Sequence, residues 1–137
     1  MCQVLIVDDN SVLRNALRGV LTTRFPSIVV EEACNGEEAL SEFQKISPFL
    51  IFMDIRLPGK SGLEITTAIK EVDPEIEIII LTSHDTVEYR EAAFRSGANR
   101  FLTKGNVKID EIIALVTSAM QARGDTCSIV SDHQIRG

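Results

Sequence analysis

The chain has 137 residues and a mass of 15.1 kDa, enough for one domain of common size and too short for two ordinary ones. With 45% hydrophobic and 25% charged residues, it carries apolar side chain for a sizeable core and lacks the polar bias of a disordered chain. Lys+Arg 14 against Asp+Glu 20 gives a net charge of −6, the wrong sign for holding nucleic acid by phosphate neutralisation, so no direct nucleic acid binding by this chain is expected.

Residues 4–7 form the first apolar run, which begins almost at Met1 and meets Asp8 without a basic leader or a cleavage signal. Further runs at residues 28–30, 49–53, 78–81 and 100–103 are of strand length, far below the roughly 20 residues of a membrane helix. Between the first two runs, Leu13, Ala16, Leu17, Val20 and Leu21 share a helical face. Asn35-Gly36 opens a second helix with Ala39, Leu40 and Phe43 on its stripe, and Ser47-Pro48 closes it. Ser61 followed by Glu64 is a capping-box pattern for a third helix, whose face is Ile65, Ala68, Ile69 and Val72 before Asp73-Pro74.

Asp85 with Glu88 repeats that cap logic for a fourth helix, thinly anchored by Tyr89, Ala92 and Ala93 and ended by Gly97. Ile109, Ile112, Ile113, Val116 and Met120 define a fifth helix, and residues 124–137 are predicted to be a mobile tail or the start of a linker. Cys2, Cys34 and Cys127 are odd in number, widely spaced and without a CxxC cluster. Neither a disulfide framework nor a zinc site is expected, and a soluble protein of the reducing cytoplasm, with no membrane partner, fits best.

Apolar strands alternating with helices imply right-handed crossovers onto a parallel sheet buried on both faces. Five strands allow the doubly wound α/β order 2-1-3-4-5, with its switch point between the carboxyl ends of strands one and three. At that edge stand Asp8 and Asp9 after strand one, Asp54 after strand three, Thr82 after strand four and Lys104 after strand five. Each has an ordinary reading: Asp8, Asp9, Asn10 and Ser11 are helix-capping residue types, Asp54 suits a loop before Pro58-Gly59, Thr82 is a common strand residue and Lys104 a common surface charge. Jointly those readings require three acids, a hydroxyl and a lysine to share one edge by accident.

Three convergent carboxylates repel one another unless a cation is present, and an all-oxygen acidic set suits Mg²⁺ completed by water and a phosphate oxygen. Lys104 and Thr82 can then bind phosphoryl oxygens, and Asp54, on the central strand, is the best-placed nucleophile for an aspartyl phosphate.

On these residues the chain resembles the receiver domain of two-component response regulators over about residues 3–122, with residues 1–123 as the domain. The resemblance implies a flavodoxin-like (βα)5 sandwich. It implies Asp8, Asp9, Asp54 and the main-chain carbonyl of Arg56 as metal ligands, Asp54 as phosphoacceptor, Lys104 as the phosphate-binding lysine, and Thr82 and Phe101 as switch residues. It implies Mg²⁺ as cofactor and a histidine kinase or histidine phosphotransfer protein as donor, with self-catalysed transfer rather than turnover as an enzyme. It leaves homodimerisation of the phosphorylated form open. On phosphorylation, Thr82 is expected to move inward and vacate space that Phe101 occupies, biasing the face of helix four, strand five and helix five.

Gly105 stands where many receivers have a cis proline, and Arg56 and His84 occupy positions that vary in controlling water access. The Lys104-Gly105 pair is similar to receivers carrying a helix-turn-helix output domain, so the chain is either a stand-alone receiver or part of a longer, DNA-binding transcriptional regulator. Gly59-Lys60-Ser61 mimics the end of a Walker A loop, but Asp54 stands where its first glycine is needed. An aspartate-nucleophile phosphatase would need a second acid at Arg56, and a flavin-binding fold would suffer phosphate repulsion from Asp8-Asp9. The remaining alternative is a receiver-like module that interacts with proteins independently of phosphate.

Overall fold

The computed structural model describes residues 2–123. The alternation of apolar runs and helical stripes produces β1 (Gln3–Val7), α1 (Ser11–Arg24), β2 (Val29–Ala33), α2 (Gly36–Ile46) and β3 (Leu50–Met53). These are followed by α3 (Gly62–Val72), β4 (Glu77–Thr82), α4 (Val87–Arg95), β5 (Arg100–Thr103) and α5 (Ile109–Arg123). The five strands form one parallel sheet in the order β2-β1-β3-β4-β5, the order expected from sequence. Val4 through Val7 and Leu50 through Met53 are at most 1% exposed, which puts β1 and β3 inside the sheet. The charged residues of β2 and β5 suit the two edges.

Because successive strand side chains point to opposite faces, the core divides into two halves. Val4, Ile6, Phe52, Ile79 and Leu81 pack with Leu17 and Leu21 of α1 and Ile112 and Val116 of α5. Leu5, Val7, Ile51, Met53, Ile78 and Ile80 pack with Ala39 and Phe43 of α2, Ile65 and Ile69 of α3, and Ala93 of α4. The carboxyl ends of all five strands consequently open on one edge between the layers.

The helix starts follow from side-chain capping. Asn10 accepts from the N–H groups of Val12 and Leu13, and Asn35 from that of Glu38. Both bonds of the capping box form at α3, Leu63 N–H to Ser61 Oγ and Ser61 N–H to Glu64 Oε1, each at 3.0 Å. The start of α4 differs from expectation: its cap is Thr86, which accepts from Tyr89 N–H, while Asp85 pairs with Arg90 at 2.7 Å. Gly97 follows α4 with φ +109, as expected of a residue ending a helix in the left-handed region.

Three packing expectations are corrected, at Val72, Ile109 and Ala16. Val72 and Ile109 are 73% and 58% exposed because each lies at a helix end, beyond the reach of the sheet. Ala16 is exposed in α1, whereas α4 is thinly anchored as expected, with Ala93 buried and Tyr89 packed half-buried against the core. The second strand runs on to Ala33, past the apolar residues that marked it, because Glu31 and Glu32 stand on an edge strand. Cys34 is a free thiol. The predicted tail, residues 124–137, lies outside the described residues. No helix among the described residues is long and apolar enough to cross a membrane.

Gly19 sits inside α1 on an exposed position, and a Cβ there would meet nothing within 4 Å. Gly19→Ala is therefore expected to stabilise the domain by about 0.5–1 kcal/mol through reduced backbone entropy of the unfolded chain. The midpoint of chemical denaturation should rise without a change in slope.

Candidate functional site: an acidic cluster at the carboxyl edge of the sheet

Three of the expected residues lie one position beyond a strand and are fixed there by hydrogen bonds that extend the sheet. Asp8 N–H donates to Ala33 O at 3.1 Å, Asp54 N–H to Val7 O at 2.9 Å and Lys104 N–H to Thr82 O at 2.9 Å. Parallel pairing thus turns distant sequence positions into neighbours. Carboxylate oxygens of Asp8, Asp9 and Asp54 lie within 4.8 Å of one another. Lys104 Nζ stands 2.8 Å from Asp8 Oδ2 and 3.1 Å from Asp54 Oδ2.

Asp8 and Asp54 are buried, at 2% and 6% exposure, while Asp9 is exposed. Asp8 Oδ1 also accepts from Asn10 N–H at 2.9 Å. Burial holds the Asp8 carboxyl above its ordinary range, with the nearby Asp54 charge adding to the effect, against the opposing bonds from Lys104 and Asn10. For Lys104, burial alone pulls downward, but the bond to Asp8 and the charge and bond of Asp54 outweigh it, so the ammonium is held above its usual range. One ammonium is thus shared between two buried carboxylates. Asp54 Oδ1 is buried with no hydrogen-bond partner among the described residues. A buried acceptor of this kind is costly unless something positive or donating meets it, and a hard cation fits both the orphaned oxygen and the all-oxygen donor set.

Thr82 is fully buried at the same edge, and its Oγ1 accepts from His84 N–H at 3.3 Å. Phe101 is already buried, 8% exposed, in the half of the core beneath α2, α3 and α4. The Arg90 guanidinium lies 4.6 Å from its ring centroid. Arg56 is exposed two residues past Asp54, and its carbonyl accepts no hydrogen bond among the described residues. No cis peptide occurs among the described residues, and Gly105 is exposed with open space around it.

Sequence reasoning missed Arg14 and Glu32. Arg14 Nε donates to Glu32 Oε1 at 2.7 Å, its Nη1 donates to the main-chain oxygen of Asp8 at 2.6 Å, and Arg18 Nε donates to Glu32 Oε2 at 2.5 Å. The i, i+4 arginines of α1 were a signal in the sequence, but only the packing of α1 beside β2 supplies their partner. Burial alone would raise Glu32, yet the bonds and charges of the two arginines hold its carboxyl below the ordinary 4.5. That stabilisation is complete above the ordinary value and is lost as pH falls through the lowered folded value. Glu32→Gln should thus cost about 1 kcal/mol at neutral pH and show a shallower loss of stability below pH 4.5 in denaturation series at several pH values.

The fold and this edge meet in one family: the chain belongs to the response regulator receiver domain family, whose model matches residues 4–117. It is 40% identical over 102 residues to the chemotaxis protein CheY of Halobacterium salinarum, covering 74% of this chain and 83% of that protein. It is 35% identical over 112 residues to the transcriptional regulatory protein TrcR of Mycobacterium tuberculosis, covering 82% of this chain and 42% of that one. The chain thus spans about half the length of several of the curated relatives it matches. Among solved structures, a LuxR-family two-component response regulator from Aurantimonas superposes with a TM-score of 0.78 at 29% identity, covering 86% of this chain and 84% of that one. A CheY-like receiver from Methanospirillum hungatei superposes at 0.82 with 21% identity, covering 91% and 98%, and speaks for the fold. The domain's role is that of a signalling receiver in two-component systems, whose receivers interact with histidine kinases.

Proposed function

We propose that Asp54 accepts a phosphoryl group from the phosphohistidine of a kinase or histidine phosphotransfer protein in the cytoplasm, in a Mg²⁺-dependent transfer that the domain itself promotes. The observation that carries this reading is the state of the Asp54 carboxylate: one oxygen is bonded to Lys104 and the other is buried without a partner, within the three-acid cluster. Asp8, Asp9, Asp54 and the Arg56 carbonyl would hold the metal, which neutralises charge on the transferring group. An Asp54 oxygen attacks phosphorus, the phosphorus–nitrogen bond of the donor breaks, and the electron pair leaves on the imidazole nitrogen. Lys104 shifts its contact from carboxylate to a phosphoryl oxygen, and Thr82, released from His84 N–H, donates to another. Thr82, drawn toward the phosphoryl group, vacates space that Phe101 occupies and so biases the face of α4, β5 and α5, of which α4 is the helix with the fewest buried residues among the described residues.

The receiver comprises residues 1–123 in this reading, either alone or as the input module of a longer regulator. It is tested by intact-protein mass after incubation with phosphoramidate, a small-molecule phosphoryl donor. One phosphoryl adduct with Mg²⁺ and none after chelation is the expected result. A folded protein that binds Mg²⁺ yet gains no adduct would favour a phosphate-independent interaction module.

A further inference from the structure

We infer that Arg14 is a positioning residue for the metal site, acting through the peptide that joins Asp8 to Asp9; this rests on the reading of the acidic cluster as a cation site. The guanidinium is planar and presents its donors in a fixed fork. One branch is held by Glu32 at 2.7 Å, and the other donates to the Asp8 main-chain oxygen at 2.6 Å. Glu32 stands on β2, so Arg14 is braced against the sheet and does not swing freely on α1. Its side chain is only 17% exposed.

The oxygen it grips belongs to the peptide between two adjacent acids of the cluster. Rotation of that peptide would re-aim the Asp9 carboxylate, which has no hydrogen bond or ion pair of its own among the described residues. The Asp8 side of the same peptide is anchored independently, by Lys104 and by Asn10 N–H. Arg14 therefore supplies the remaining restraint on Asp9. Outer-shell partners of this kind orient ligands, and their loss weakens metal binding without removing a ligand.

Arg18 provides an internal control. It carries the same charge, sits one turn along the same helix and pairs with the same Glu32, but makes no contact with Asp8. The experiment follows amide chemical shifts of Asp8 and Asp9 while MgCl₂ is added to the parent, Arg14→Ala, Arg14→Lys and Arg18→Ala proteins, each checked for cooperative unfolding. Arg14→Ala is expected to weaken Mg²⁺ binding about tenfold. Arg14→Lys, which keeps the charge and loses the fork, should also weaken it, and Arg18→Ala should leave it within about twofold of the parent. Equal affinity in parent and Arg14→Ala would overturn the inference while leaving the metal site intact. An equal loss in Arg18→Ala and Arg14→Ala would overturn it too, by assigning the effect to charge or to the α1–β2 link. A parent that binds no Mg²⁺ would instead defeat the cation reading itself, and the inference with it.

Discussion

Asp54→Asn is expected to abolish phosphoryl uptake while leaving a folded domain. The amide keeps the volume of the carboxylate but lacks the anionic oxygen that attacks phosphorus. Lys104 keeps Asp8 as its partner at 2.8 Å, so no buried charge is orphaned by the change. Replacing a carboxylate also relieves like-charge repulsion in the cluster, and thermal stability should not fall. Intact-protein mass with phosphoramidate and Mg²⁺ should show the adduct in the parent and none in the variant. Labelling of the variant at the parental level would place the acceptor elsewhere.

The second large effect is structural and falls at Gly62, where α3 begins. A Cβ on this residue would lie 1.9 Å from the Asp54 carbonyl oxygen, 2.9 Å from its carbon and 3.1 Å from Ile55 Cα. All three atoms are backbone, so no side chain can swing away to make room. The Gly62 N–H also donates to Ile55 O at 2.8 Å, which ties the loop after β3 to the first turn of α3. Relief requires moving either Asp54 or the helix start. Gly62→Ala should cost about 3 kcal/mol, near the top of the overpacking range, lowering Tm by on the order of 10 °C. It should also slow phosphoryl uptake by displacing Asp54, whereas a general loss of stability would leave the rate of the folded fraction unchanged. Calorimetry and a time course of adduct formation separate the two effects.

Much of this architecture was legible because burial imposes periodicity. Residues 4–7 and 49–53 read as two-sided strands since β1 and β3 are sandwiched between helix layers. Ser61 and Glu64 announced α3 because capping is local, satisfied within one turn. The limits of that legibility are equally physical. At β2, Glu31 and Glu32 broke the apolar pattern although the backbone pairs with β1 throughout, since an edge strand tolerates charge. At α4, Asp85 and Thr86 are both capping types, and the choice fell to Thr86 because Asp85 is taken up by Arg90.

The candidate site divides in the same way. The residue types at the ends of the apolar runs, and the parallel order that brings Asp8, Asp9, Asp54 and Lys104 to one edge, were determined by the sequence alone. A parallel sheet leaves no other place for the carboxyl ends of its strands. What only the tertiary structure decided are the partnerships across that edge: which Asp54 oxygen Lys104 engages, the burial of Phe101 under Arg90, and the grip of Arg14 on the Asp8–Asp9 peptide. These depend on how far α1 and α4 sit from the sheet and on which rotamers fill the gap. Side-chain periodicity carries no record of such distances, because it reports which face of an element is buried and not what it is buried against.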